Sequence, residues 1–180
     1  MSASAPINLV VFLGGIGGTP VEDWMRRILQ AAAFDAIEVA QQSGCFGQIV
    51  YATDATPSTP LPPGVELALD SPGARFAFGD RLVELGRALP DGPLAYIGGG
   101  SAPLLTTEDF AGIAQALMGA TRTGACVTNN RYSSDLFVLD SLGALASLDP
   151  SPVDDNAIPR RLREERGVEV IELPRTLATQ

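Results

Sequence analysis

The chain of 180 residues contains neither histidine nor lysine. The missing histidine excludes Ser-His-Asp and Cys-His catalysis and the common histidine-bearing zinc sites. The missing lysine excludes the Walker P-loop, the kinase lysine, and Schiff-base or pyridoxal chemistry. All twelve basic residues are arginines, so catalysis is left to carboxylates, hydroxyls, guanidinium groups, backbone amides or a metal ion. Two cysteines, Cys45 and Cys126, are too few for a disulfide framework and read as small buried hydrophobes in a reducing cytoplasm. No apolar run approaches the ~18 residues that cross a bilayer. The opening MSASAP has no signal-peptide character, so neither a membrane nor export is expected. The net charge of −9 argues against nucleic acid polymers, whose binding rests on neutralising phosphates. A single nucleotide needs only a nest of amides or a magnesium ion.

What is present suits one globular domain over residues 1–180. Hydrophobic residues make up 46% and charged residues 18%, enough to build a core. Short apolar runs at Ile7–Leu13, 48–53, Val65–Leu69, 94–97, 125–128, Leu136–Leu139 and 168–173 predict strands buried on both faces. Helical stretches at 20–43, 79–89, 107–119, 141–148 and 157–166 lie between them. Thr19-Pro20 supplies an N-cap and an N1 proline, with Glu22 and Asp23 in the first turn. Gly44 and Gly167 sit where helices end in a left-handed residue. Thr106 with Asp109 has the spacing of a capping box. This alternation predicts an α/β fold with a mostly parallel, doubly wound, Rossmann-like sheet flanked by helices. The proline-rich Thr56–Gly64 and acidic Asp149–Asn156 stretches read as surface loops.

Ligands of such sheets bind beyond the carboxyl ends of the strands, which singles out the loops after each strand. Leu13-Gly14-Gly15-Ile16-Gly17-Gly18-Thr19 is the densest of these. Four glycines in five positions let amides point inward at an anion. Pro20 occupies the last glycine position of a dinucleotide fingerprint, so it is not one. A second strand ends in Gly98-Gly99-Gly100-Ser101, followed by Pro103-Leu104-Leu105 and the cap Thr106. Asp54, Asp70, Asp135, Asp154 and Asp155 fall on the same side, either as functional carboxylates or as ordinary turn residues. Arg75 has the position and charge to meet a phosphate; a solvated loop arginine is the alternative.

These motifs, in this order over residues 7–140, resemble the GT-A-fold nucleotidyltransferases, including the molybdenum-cofactor guanylyltransferases and related glycosyltransferases. The resemblance implies nucleotide contacts from Leu13, Gly14, Gly15, Gly17, Gly18 and Thr19, with Thr53, Asp70, Arg75, Gly79 and Gly100 completing the site. It places Ser101 where the family holds its metal aspartate. It assigns Asp135 to catalysis and metal binding, with magnesium as the cofactor, and Asn129 and Asn130 to the acceptor. The implied partners are a nucleoside triphosphate or nucleotide-sugar and a phosphorylated small molecule. The family's first loop continues to a basic residue, often lysine, that is absent here. Arg26 and Arg27 follow a turn or more downstream, spaced to form an i,i+4 surface array with Glu22 and Asp23.

Three readings stand: nucleotidyl transfer, nucleotide or phosphometabolite binding without transfer, and a structural homo-oligomer that keeps the fold. Trp24, Met25 and Ile28 read as core or interface packing. Arg160–Arg166 reads as a solvated helix with alternating charge.

Overall fold

The computed structural model describes residues 6–71, 76–121, 124–154 and 156–179. Seven strands and five helices alternate as β1 (Ile7–Leu13), α1 (Pro20–Ser43), β2 (Phe46–Thr53), β3 (Val65–Leu69), α2 (Phe78–Ala88), β4 (Leu94–Gly98), α3 (Thr107–Met118), β5 (Cys126–Thr128), β6 (Leu136–Leu139), α4 (Leu142–Ala146), α5 (Ile158–Arg166) and β7 (Val170–Glu172). They form one sheet of order β3-β2-β1-β4-β6-β5-β7.

Every strand runs in one direction except β6, which is antiparallel to both β4 and β5. The reason is the short link: residues 129–135 are fewer than the dozen or so a parallel crossover needs, so the chain turns straight back. The expected mostly parallel, doubly wound sheet is present, with this single reversal.

Both faces of the sheet are covered, and β1 shows how. Ile7, Leu9, Val11 and Leu13 enter one core with α1 and α3 residues such as Ile37 and Phe110. Val10 and Phe12 enter the other with Leu82, Leu145 and Leu162 of α2, α4 and α5. A strand buried on both sides has no polar face to show, which is why its sequence is apolar but for Asn8, whose buried amide donates to the Pro90 carbonyl at 2.7 Å. Burying each large apolar side chain here contributes about 1.5–3 kcal/mol.

Helix ends follow their local signals. The Thr19 hydroxyl accepts the Glu22 amide, and Gly44 closes α1 at φ 69°. Thr106 and Asp109 form the complete capping box of α3, and Gly167 closes α5 at φ 64°. The charged helix α5 carries the expected pairs, Arg160–Glu164 at 3.3 Å and Arg161–Glu165 at 2.7 Å. Gln30, buried on α1, donates to Thr59 Oγ1 at 2.8 Å and accepts the Ser58 amide at 3.0 Å, tying the proline-rich loop to the helix. No helix among the described residues is long and apolar enough to cross a membrane.

Of the two readings of Trp24, Met25 and Ile28, core or interface packing, the core one fails in α1. Its buried residues begin at Gln30, whereas Trp24 is 64% exposed and Val21, Met25 and Ile28 are exposed beside it. The helix outruns the sheet edge at its N-terminal half, so these side chains have no core to enter. Both cysteines are free. Cys126 is buried and Cys45 half-buried, and burial, with Asp140 nearby, pushes the Cys126 thiol up and out of reactive range.

The sheet changes winding between β1 and β4, where Phe12 pairs with Gly98. The Gly99 amide donates to the Phe12 carbonyl, and a Cβ on Gly99 would stand 2.5 Å from that oxygen and 2.7 Å from Leu13 Cβ. Gly99→Ala is therefore expected to destabilise the protein by about 1–3 kcal/mol through overpacking. Gly112→Ala, in α3 with nothing within 4 Å of the added atom, is expected to stabilise it by about 0.5–1 kcal/mol. Paired urea melts of the two variants read both signs.

Candidate functional site

The carboxyl edge of the sheet gathers the loops after β1, β2, β3 and β4, together with the start of β6. Because β6 runs backwards, its first residues lie beside the last of β4: Ile97 pairs with Leu136, and the Gly98 amide donates to the Asp135 carbonyl at 2.9 Å. The residue before an antiparallel strand thus reaches the ligand edge. Ser101 Oγ donates to Asp135 Oδ1 at 3.4 Å. A Cβ on Gly98 would lie 2.8 Å from Ser101 Oγ and 3.2 Å from the Tyr96 hydroxyl, so glycine there leaves room between two hydroxyls.

On the α2 side of this edge lies a cavity of about 680 Å³, within the usual range of ligand pockets. Its wall is aromatic. Phe12, Phe78 and Tyr96 pack with ring centroids 4.8–5.9 Å apart, and Phe76 meets Phe12 edge-on at 6.1 Å. Phe76 is half exposed at the mouth, leaving a ring face for a planar ligand. The rim is acidic. Asp54, Asp70, Asp80 and Glu84 line it against the Arg81 guanidinium. Arg81 holds Asp70 at 2.9 Å and Glu84 at 2.9 Å, and also donates to the Leu69 carbonyl at 3.3 Å. Asp70 is thereby held through Oδ1.

The glycine loop is built as the sequence requires in one respect. Gly15, Gly17 and Gly18 have φ of 72°, 152° and 107°, conformations that side chains rarely adopt. Its chemistry differs from expectation. The Gly15 amide donates to Asp54 Oδ2 at 2.8 Å, and Arg26 Nη1 meets Asp54 Oδ1 at 2.6 Å. Arg26 Nη2 also donates to the Ile16 carbonyl. The i,i+4 pairing of Arg26 with Glu22 is not formed, because Glu22 Oε2 accepts the Thr19 hydroxyl at 2.8 Å. Helical Cα–Cβ bonds lean toward the N-terminus, so a long side chain at 26 falls back over the loop. Partial burial pushes the Asp54 carboxyl up; the Arg26 bond and charge and the Gly15 amide outweigh it and hold the group below its ordinary 3.8.

The expected residues divide. Leu13, Gly14, Gly15, Thr53 and Asp70 line the cavity together. Gly17, Gly18 and Thr19 continue the loop toward α1, where Thr19 is committed to the helix cap. Gly100, at φ 86°, lies against Leu29 of α1 and leads into Ser101. Gly79 does not serve the cavity. It is buried under the loop after α4, donating its amide to the Pro152 carbonyl at 2.7 Å, while Phe78 donates to Val153 at 3.3 Å. Two carbonyls thus occupy the first amides of α2, and a ligand phosphate has no access to them. Asn129 is buried and structural, its Oδ1 accepting the Leu136 amide at 3.2 Å. Asn130 Oδ1 accepts the Tyr132 amide at 3.0 Å, a turn contact at the edge of the site. Arg75 and Asp155 lie outside the described residues. Phe12 and Tyr96 carry no signal in the sequence beyond an apolar strand, yet they form the cavity wall.

No group of three or more Asp, Glu, Cys or His side chains is placed to hold a metal among the described residues. Ser101 and Asp135 form a minimal donor pair. Magnesium held there would have these two protein ligands, the rest of its shell being phosphates and water.

No protein-family model matches the chain, and no curated protein does. Solved structures do match in fold. A 4-diphosphocytidyl-2C-methyl-D-erythritol synthase from Anaerococcus prevotii is 10% identical with TM-score 0.61, the match covering 97% of this chain and 89% of that one. A CMP:2-keto-3-deoxy-manno-octonic acid synthetase solved with CTP is 12% identical with TM-score 0.57, covering 94% and 90%. A Mycobacterium tuberculosis protein solved with manganese is 20% identical with TM-score 0.56, covering 95% and 88%. The chain shares the fold of these structures.

The Asp54–Arg26 pair sets a pH dependence. A carboxyl held below its ordinary value stabilises the native state while ionised and stops doing so once protonated. Asp54→Asn is expected to lower stability at neutral pH by no more than about 1 kcal/mol for so exposed a pair. The gap from the native protein should close as pH falls below the ordinary 3.8. Urea midpoints measured from neutrality to acid check it; a gap that persists at the acid end refutes the assignment.

Proposed function

We propose that the protein transfers a nucleotidyl group from a nucleoside triphosphate to a phosphorylated small molecule. The observation that carries this reading is convergence at one sheet edge. The glycine loop, the aromatic cavity with Asp70, and the Ser101–Asp135 pair all lie at the carboxyl ends of β1, β3 and β4, where β6 begins. In this reading the base lies against Phe76 and donates to the free oxygen of Asp70, with Thr53 beside it. The phosphates run along Gly14–Thr19 toward Gly100 and Ser101, and the acceptor enters past Asn130. An acceptor phosphate oxygen bonds to the α-phosphorus as the bond to the bridging oxygen breaks and pyrophosphate leaves. Magnesium held by Ser101 and Asp135 would supply charge neutralisation. The protein's own share is positioning and fixed dipoles. Neighbours in fold that are named as cytidylyl or CMP transferring enzymes support the reading.

A second reading has its own support. One carboxylate stands at the donor pair, and the glycine loop already holds an internal carboxylate. Both favour a protein that binds a nucleotide, nucleotide-sugar or phosphometabolite without transferring it.

Thermal melts with GTP, CTP, UTP and ATP, each with and without magnesium, separate the two. A ligand at a hundredfold its Kd stabilises by about 2.7 kcal/mol, or roughly 5–10 °C for a domain of this size. A magnesium-dependent shift of that order is expected for the transferase, and Ser101→Asp should enlarge it by adding a carboxylate ligand. A shift indifferent to magnesium selects binding alone. No shift with any of these nucleotides removes the transferase and counts against the binding reading.

A further inference from the structure

The Asp54 carboxylate is an anion seated where the phosphate loop would seat one. It accepts the Gly15 amide at 2.8 Å and the Arg26 guanidinium at 2.6 Å, across the mouth shared by the β1 and β2 loops. Besides tying α1 to the glycine loop, the pair places Asp54 on the cavity lining. Asp54 follows β2, pairs with no residue of its own loop through its side chain, and keeps 37% of that side chain exposed. Arg26 is only 19% exposed and is anchored through Nη2 to the Ile16 carbonyl, within the loop itself. The neighbouring helix end is closed separately by Thr19 and Glu22. Arg26 is therefore a cation built into the glycine loop in a chain that has no lysine to offer.

We propose that Arg26 is the phosphate-binding cation of this site and that Asp54 is its displaceable internal counter-anion, exchanged for a ligand phosphate when nucleotide binds. The proposal rests on the nucleotide reading of the site and names the residue that gives it its preference for phosphate. The chemistry suits arginine. Its planar fork keeps Nη2 on Ile16 while Nη1 passes from a carboxylate oxygen to a phosphate oxygen, which an ammonium cannot do in fixed geometry. The Gly15 amide passes to the same phosphate group. Displaced, Asp54 turns to water at the mouth, and its half-exposed position makes that exchange accessible. Without it, Arg26 would sit bare beside an amide nest and hold small anions weakly; with it, only an anion of higher charge than a carboxylate displaces the occupant.

Calorimetric titration of the full chain with inorganic pyrophosphate reads this without nucleotide or turnover. Asp54→Asn keeps the side chain's size and is expected to bind pyrophosphate at least tenfold more tightly than the native protein. Arg26→Gln in the Asp54→Asn background should lose that gain, and Arg26→Lys should recover only part of it. Acetate should bind none of them comparably. Unchanged or weaker binding by Asp54→Asn overturns the proposal, as does Arg26→Gln binding pyrophosphate as tightly as its parent. Should Arg26→Gln not fold, the Arg26→Lys comparison decides on the same criterion. The nucleotide reading fails separately. Tight pyrophosphate binding by Asp54→Asn with no nucleotide-dependent melting shift leaves the anion exchange standing and removes the transferase. Nucleotide turnover unaffected at both positions does the reverse.

Discussion

The close approach of β1 and β4 is the constraint on which the site depends. Gly99 donates to the Phe12 carbonyl with no room for a Cβ between them. This contact draws the end of one strand onto the end of its neighbour at the point where the sheet changes winding. Two glycine-rich loops that are 85 residues apart in the chain (Gly14 and Gly99) are thereby made walls of one crevice. Phe12 is turned by the same pairing into the opposite core, where it becomes the floor of the cavity. A larger residue at 99 would press directly on Phe12 and Leu13, two residues that line the cavity.

Charge is the second constraint. Among the described residues, four carboxylates and one guanidinium line the cavity, an unfavourable setting for a polyanion. A protein with lysine in its loop has a flexible cation ready for phosphate. Here the cation is fixed by a carbonyl and a carboxylate, so its charge is already satisfied in the resting protein. Under the proposed exchange, affinity for a phosphate group would be the difference between two anions competing for the same donors. That difference would favour the more highly charged one and make binding conditional on the ligand's charge state.

Much of the fold was legible because its signals are local. Thr19-Pro20 and Gly44 bound α1 at the residues where the helix begins and ends. Thr106–Asp109 formed the box their spacing implies. Asp70 could be placed at the cavity because it directly follows a strand. The misses share a cause: each depended on a partner distant in sequence. Arg26 was matched with Glu22, four residues away, while its partner lay 28 residues on. Gly79 resembled a helix start open to ligand until the loop at Pro152 and Val153 closed it. Phe12 and Tyr96 read as ordinary strand residues, since nothing in a buried strand tells which side chain ends beneath a pocket. Trp24 carried a helical apolar pattern, but the pattern does not say how far the sheet extends beneath the helix.

The reversed strand β6 decides how far the site can be taken as a catalytic one. In an all-parallel sheet, residue 135 would stand at the amino edge, away from both glycine loops. The short link after β5 forces the turn back, and the turn carries Asp135 to Ser101. An aspartate and a serine there give a divalent ion one charged ligand, so most of its shell must come from water and ligand phosphates. In the proposed reaction metal and nucleotide binding would be coupled, since neither would complete its coordination without the other. Under the proposed exchange Arg26 would leave Asp54 for the same phosphates and add its charge only once they had arrived. A site assembled by its substrate in this way would be quiet when empty, and it would need no lysine.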